Sequence, residues 1–327
     1  MAKETIKETL SEEFYQVSPE ILESFPRFRP PLNIYFFNEK VNDVQLYARK
    51  GERLDENRQE ELRALCEKGN IFFSRSDYPL YSEFISKQLD LILQASSLTE
   101  KEIVDILWKG VPDNLQKIYT QPVKLVFEGI LPNLFVVSQY VLDDPHRIAG
   151  LIRRIHPSNN LWDQATNVLF LGLGAYLRTF SNEIDERFVK AITVGLSLVY
   201  LGKTKLPSHL LNKKNLTLEE QRQLKSYPHI GAQIVNKFGY REKYALQCIL
   251  EHQERLDGSG YPQGLKDREI SIAGKIAGIA SSFNEMLCEI NDNSTDTIKK
   301  ISQSLSKQAD KFDSSLVNGL LTIIIRM

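Results

Sequence analysis

A chain of 327 residues, 42% hydrophobic and 25% charged, has the composition of a globular protein and is long enough for two domains. Lys and Arg number 41 against 42 Asp and Glu, and the resulting formal charge of −1 argues against a nucleic-acid polymer as the main partner. The three cysteines, Cys66, Cys248 and Cys288, are odd in number and far apart, which excludes a disulfide framework or a cysteine zinc site and fits a reducing cytoplasm.

The opening stretch MAKETIKETLSEEF is charged throughout, lacks an apolar core, and is not read as a signal peptide. An arm with Pro26, Pro30 and Pro31 follows. Ile34–Phe37 and Val44–Tyr47 are short β-branched and aromatic runs bounded by Asn, Asp or Gly, and are predicted strands. Asp55 is the predicted N-cap of a helix with Leu62, Leu65 and Cys66 on one face, stopping at Gly69. Ile71–Phe73 is a third predicted strand. Tyr78–Leu93 is a further helix, with Phe84, Ile85, Leu89 and Ile92 at three- and four-residue spacing. In this β-β-α-β-α unit the aromatic side chains of Tyr35, Phe36, Phe37, Phe72 and Phe73 are expected to form a small core.

From Leu98 onward strand signals fade. Ser97 with Glu100 is read as a capping box for the helix carrying Ile103, Ile106 and Leu107, and Thr217 with Glu220 as a second. Further helices are predicted at Pro122–Val141, Trp162–Thr179, Asp185–Leu201, Lys243–Glu254, Ser271–Ile290 and Thr297–Arg326. No run is read as a membrane span of roughly 18–20 apolar residues, and Leu320–Ile325 is read as a buried helix end. The expected fold class is α+β: a small N-terminal α/β domain over residues 1–96, then an all-α bundle over 97–327. No internal repeat or low-complexity segment interrupts it.

One segment, Ile249 to Leu265, reads ILEHQERLDGSGYPQGL: a helix that stops at a turn rich in Gly and Pro. Such turns position loops, and conformationally demanding loops often hold ligands. This string resembles the hallmark of the HD-GYP family, roughly HHERxDGxGYPxGL. Leu201-Gly202-Lys203 with Leu206-Pro207 is similar to the family's HD-x-GK segment, and Leu216-Thr217-x-Glu219-Glu220 to its LTxEE helix start. Pro228-x-x-Gly231 matches the next helix, and Phe312-Asp313 with Leu316-Val317 the last one. The resemblance runs in collinear order over 161–327, and the N-terminal unit looks like an accessory domain that some members carry.

The resemblance implies a bacterial helical phosphohydrolase fold associated with cyclic di-GMP, an HD-domain-like bundle holding a binuclear or trinuclear Fe/Mn site. Ions in such a site lower the pKa of a bridging water, so that hydroxide attacks the phosphodiester at neutral pH. Borderline and hard divalent ions need imidazole and carboxylate ligands. Carried over position by position, those ligands fall on Gln164, on Val199-Tyr200 in place of the His-Asp pair, on Tyr227, on Gln253 and on Ser281. His252 is the remnant. His229 lies two residues from Tyr227, about 200° around the helix. A single imidazole does not assemble a binuclear site, so no catalytic residue, metal or other cofactor is predicted, and His252 is read as a hydrogen-bonded interior histidine.

Lys203 matches the family's GK lysine and Lys275 the basic residue before the penultimate helix. With Tyr261 they are the candidate ligand-binding residues, because a lysine is a flexible point charge for a phosphate. Asp257, Gly258, Gly260, Tyr261 and Pro262 form the GYP loop, where the glycines let backbone approach a ligand or partner. The expected function is a catalytically inactive, cytoplasmic HD-GYP-like signalling protein acting through protein contacts. A diguanylate cyclase (GGDEF) domain is the partner class the resemblance suggests, and a homodimer is compatible with it. Two alternatives are a metal-free cyclic di-GMP sensor, in which Lys203 and Lys275 hold the phosphates, and a weak or altered metal-dependent cyclic di-GMP phosphodiesterase.

Overall fold

The computed structural model describes residues 13–26, 29–38, 41, 43–85, 89–94, 98–213 and 215–325. The chain divides into two compact units, Met1–Gly110 and Val111–Met327. The first extends past residue 96 because Glu102 is bound into it. Tyr15 donates its hydroxyl to the Glu102 carboxylate, Tyr78 Oη donates to the Glu102 carbonyl at 3.1 Å, and Arg75 lies 3.5 Å from the same carboxylate.

The first unit runs β1 (Phe14–Gln16), α1 (Pro19–Ser24), β2 (Ile34–Asn38), β3 (Asp43–Ala48), α2 (Glu56–Glu67), β4 (Ile71–Ser74) and α3 (Tyr78–Ile85). Its strands form one antiparallel sheet in the order β1-β4-β2-β3, with Tyr15 opposite Phe73, Tyr35 opposite Phe72 and Phe37 opposite Val44. Two elements were not expected from the sequence. Strand β1 is only three residues long, too short to show alternation, and α1 starts from Ser18, whose side chain accepts from Ile21 N, with Pro19 next. The core also differs from the all-aromatic expectation. Phe73 packs on Tyr15 and Tyr81 with ring centres 4.8 and 4.2 Å away, and Ile34 and Ile71 are buried too, while Tyr35, Phe36, Phe37 and Phe72 are half-buried. The helix expected over Tyr78–Leu93 is α3 followed by a 3₁₀ segment, Leu89–Gln94, with 86–88 outside the described residues.

The predicted cap at Ser97 also lies outside the described residues. The box is closed instead by Thr99 and Glu102: Thr99 N and Oγ1 donate to Glu102 Oε2, and Glu102 N donates back to Thr99 Oγ1. It opens α4 (Glu100–Thr120), within which the unit boundary falls.

The second unit continues with α5 (Lys124–Asp143), α6 (Ile148–Ile152), α7 (Leu161–Thr179), α8 (Glu186–Ser197), a 3₁₀ segment (Leu201–Lys205), α9 (Ser208–Asn212), α10 (Leu218–Lys225), α11 (Tyr227–Lys237), α12 (Lys243–Glu251), α13 (Ile272–Ile290), α14 (Thr295–Ser306) and α15 (Ser314–Ile325). Helix α7 is buried all round from Ala165 to Leu177, as a central helix must be, and packs against α8, α13 and α15. The Thr217–Glu220 capping box is present. The single helix expected over Thr297–Arg326 is two, because Asp313 Oδ1 accepts from Ser315 N and Leu316 N and starts a new helix there. Contrary to the sequence reading, α5 is long and apolar enough to cross a membrane by length and composition. Its buried residues include Phe127, Ile130, Leu134, Val137 and Tyr140, packed inside the helical unit.

The two short motifs GK and PxxG acquire a joint reason here. The 3₁₀ segment presses on the first turn of α11 so closely that a Cβ at Gly202 would lie 1.9 Å from Tyr227 O and 2.7 Å from Gly231 N. Only hydrogen fits. Gly202→Ala is expected to lower the unfolding free energy by ~1–3 kcal/mol or more, read as a shift of the urea midpoint. Gly129→Ala, on the exposed side of α5 with nothing within 4 Å of the added carbon, serves as the control and is expected to leave the midpoint unchanged or raise it.

Candidate functional site

Helix α12 delivers His252 at its C-terminal cap, and the chain then turns into the GYP loop. Three charged side chains build that loop. The Glu254 carboxylate accepts from Gln263 N at 2.7 Å and Leu265 N at 3.0 Å, holding the chain just after Tyr261-Pro262, while Tyr261 N donates to Gln253 O at 3.1 Å on the other side. Arg255 donates to the carbonyls of His252 and Glu254 and to Ser282 Oγ on α13, and lies over the Phe312 ring at 5.0 Å. Glu251 accepts from Ser271 N and Oγ, tying the end of α12 to the start of α13. Gly258 has φ +81°, and a Cβ at Gly260 would sit 2.4 Å from Glu254 Cα, so the loop lies flat on its own helix end. Asp257 Oδ1 accepts from Ser259 N, and the loop's own hydrogen bonding holds its carboxyl below the usual range.

Beneath the loop is a closed polar and aromatic cluster. His252, Tyr200 and Tyr227 are at most 1% exposed. Tyr227 Oη and His252 Nε2 are 2.6 Å apart, and His252 Nδ1 is 2.9 Å from Ile249 O, so the hydroxyl donates to Nε2 when Nδ1 carries the proton. Burial, reinforced by the positive charge of Lys203, lowers the His252 pKa to about 3 and keeps the ring neutral. Burial likewise raises the pKa of both phenols. Lys203 Nζ stands over the Tyr200 ring at 4.2 Å and over the Tyr227 ring at 4.9 Å. Desolvation lowers its pKa, and Glu285 opposes that shift.

The remaining positions carried over from the family make other contacts. Val199 is an apolar core residue, and Ser281 is fully buried beside Tyr200. Gln164, in the first turn of α7, donates to Ser158 O at 2.8 Å. Gln253 donates to Glu285 Oε1 at 2.7 Å. Among the described residues no three His, Cys, Asp or Glu side chains gather as metal ligands. The donor set does not fit a divalent ion: the one imidazole is spent on hydrogen bonds at both nitrogens, its neighbours are protonated phenols, and an ammonium already occupies the face of the rings.

Lys203 and Lys275 are not brought together. Lys275 pairs with Asp267 at 3.7 Å in the first turns of α13, whereas Lys203 answers to Glu285 and Cys288, ten and thirteen residues further along that helix. At 1.5 Å per residue the backbones of Lys275 and Glu285 are about 15 Å apart along that helix. Tyr261 sits between the cluster and the surface, its ring 6.4 Å from Tyr227 and under Lys225 Nζ at 5.6 Å. Two residues escaped the sequence reading. Glu285 lies four residues after Ser281, hence on the same helical face, a spacing that marks it as a neighbour of the site. Asn284 donates to Tyr200 Oη and accepts from Asn167, a pairing between distant segments that no local pattern announces. An open cleft of about 320 Å³ adjoins the loop, lined among others by Arg255, Tyr261, Glu285, Glu289, Lys311 and Phe312.

Residues 148–316 match the HD domain family. The chain is 39% identical over 106 residues to a cyclic di-GMP phosphodiesterase of Thermotoga maritima, covering 32% of this chain and 29% of that protein. It is 30% identical over 163 residues to the cyclic di-GMP phosphodiesterase PdeB of Borreliella burgdorferi, covering 49% and 41%. Each match therefore spans less than half of the curated relative. Among solved structures, Bd1817, a HDG"Y"P protein from Bdellovibrio bacteriovorus, superposes with a TM-score of 0.62 over 95% of this chain and 99% of its own, at 14% identity, a likeness of fold. The chain belongs to the HD domain family, and within it to the HD-GYP group.

The buried imidazole gives the site an acid dependence. His252 ionises near 3 when folded and near 6.5 when unfolded, so between these values the unfolded chain binds more protons and stability rises with pH. Unfolding free energy is expected to be full above about pH 6.5 and to fall toward pH 3 by up to ~1.4 kcal/mol per unit from this group. Urea midpoints from pH 7 to 4 check this, and His252→Gln should flatten the slope. Tyr227→Phe, which leaves Nε2 buried without its partner, should cost ~1–3 kcal/mol at pH 7.

Proposed function

We propose that this chain is a catalytically inactive HD-GYP protein that signals through protein contacts made at its GYP loop. The observation that carries this reading is the Tyr200–Lys203–Tyr227–His252 cluster in the place where the family's resemblance calls for metal ligands. Hydrolysis of a phosphodiester at neutral pH needs a water made nucleophilic by a divalent ion. An ammonium held among neutral phenols repels such an ion and offers no lone pair to it. The loop, in contrast, is fully built, and its architecture rests on Glu254, Arg255 and Glu251 rather than on a metal. Ser259 and Gln263 at its tip are exposed, where a protein partner would meet them.

The separation of Lys203 from Lys275, and the commitment of each to its own neighbours, speaks for protein contact over cyclic di-GMP sensing. A diguanylate cyclase domain is the partner class to try first, and the cytoplasm is the compartment this reading implies.

Untagged protein is expected to carry substoichiometric iron, manganese and zinc by elemental analysis, to keep its melting temperature in chelator, and to release no linear dinucleotide from cyclic di-GMP when supplied with Mn²⁺ or Fe²⁺. Binuclear loading or turnover above the buffer blank would overturn the reading. For the loop, crosslinking to a purified diguanylate cyclase domain should be lost in Ser259→Arg/Gln263→Glu with the melting temperature unchanged, and equal crosslinking by both proteins would remove the loop from the interface.

A further inference from the structure

A second cleft lies in the helical unit, lined by residues that belong neither to the GYP loop nor to the buried cluster. It encloses about 220 Å³ between the turn before α6, the end of α7 and α15. Its floor is apolar, made by Ile148, Leu177 and Ile323, each at most 9% exposed. Its rim carries Arg153, Arg178, His146 and Ser181, and no Asp or Glu lines it.

The state of the arginines is what gives the cleft a meaning. In the same stretch Arg147 donates to Tyr140 O and pairs with Asp143, and Arg154 donates to Gly150 O. The guanidinium groups of Arg153 and Arg178, the two that line the cleft, have neither a hydrogen bond nor an ion pair among the described residues. Each sits at the C-terminal end of its helix, where a cation is favoured by ~0.3–1 kcal/mol, so the arrangement is tolerated without a ligand. Thr322 Oγ1 donates to Asn318 O, and the rim otherwise presents two guanidinium forks, the Ser181 hydroxyl and the His146 imidazole.

We propose that this cleft binds a small organic phosphate, its phosphoryl oxygens on Arg153 and Arg178 and its apolar portion on the Ile148–Leu177–Ile323 floor. Guanidinium forks match phosphate oxygens in bidentate geometry, and three terminal oxygens suit two forks and a hydroxyl better than the two oxygens of a carboxylate. The volume is below that of a pocket for a drug-sized molecule and suits a phosphate ester with a single ring or short chain. The site is separate from the proposed signalling role, and its failure would leave that reading untouched.

The test is titration of the full chain with phenyl phosphate, inorganic phosphate and benzoate, followed by calorimetry or by amide shifts. Phenyl phosphate is expected to bind most tightly. Arg153→Gln/Arg178→Gln should weaken it about 100-fold, roughly tenfold for each charge-assisted contact, with the circular dichroism unchanged because both side chains reach the surface. Ala149→Leu, which narrows the cleft, should weaken phenyl phosphate and spare inorganic phosphate. Equal affinity in wild type and the double variant, no saturation by any probe at millimolar concentration, or tighter binding of benzoate than of phenyl phosphate would each overturn the proposal.

Discussion

The hydrogen bond between Tyr227 Oη and His252 Nε2, sealed from water, sets the terms for the helical unit. A neutral imidazole in an apolar interior must have both nitrogens satisfied, and here one is met by α11 and the other by the Ile249 carbonyl of its own helix. To bring Tyr227 within reach, the first turn of α11 has to lie against the 3₁₀ segment, which is why Gly202 and Gly231 face each other without side chains. That same approach places the Lys203 ammonium over the faces of Tyr200 and Tyr227. Four residues from three separate segments therefore depend on one pair of atoms.

The GYP loop is supported by a different set of contacts. Glu254 ties down its far side through two backbone N–H groups, Arg255 crosses to α13, and Glu251 holds the start of that helix. Their side chains hold the loop through backbone groups and α13, and they meet the His252 cluster only at its edge, where Arg255 donates to the His252 carbonyl and the Tyr261 ring lies 6.4 Å from Tyr227.

The first unit follows its own logic. Its sheet is short-stranded and antiparallel, and its stability comes from stacking Tyr15, Phe73 and Tyr81 on a few fully buried aliphatic side chains. Glu102 extends that unit into the start of α4 by accepting from two tyrosines and closing the Thr99 capping box. A half-buried carboxylate of this kind is held by hydrogen bonds that replace its lost water.

Much of the fold was legible in the sequence because the relevant rules are local. Three strands, the Asp55 cap, the Thr217–Glu220 box and most helix positions follow from periodicity and capping within a few residues. The expectation that Val199, Tyr200, Tyr227, Gln253 and Ser281 stand at the family's ligand positions likewise comes from the spacing of the motifs alone. What escaped was decided between segments distant in the chain. Strand β1 exists only by pairing with β4, the break before α15 is set by Asp313 capping a new helix, and the burial of α5 depends on which helices cover it. The same holds for the site. Sequence alone identifies Lys203, Lys275 and Tyr261 as chemically apt, but the tertiary structure commits Lys203 to two aromatic faces and Lys275 to Asp267. Residue type follows from the chain; which groups satisfy one another in the absence of water follows only from packing.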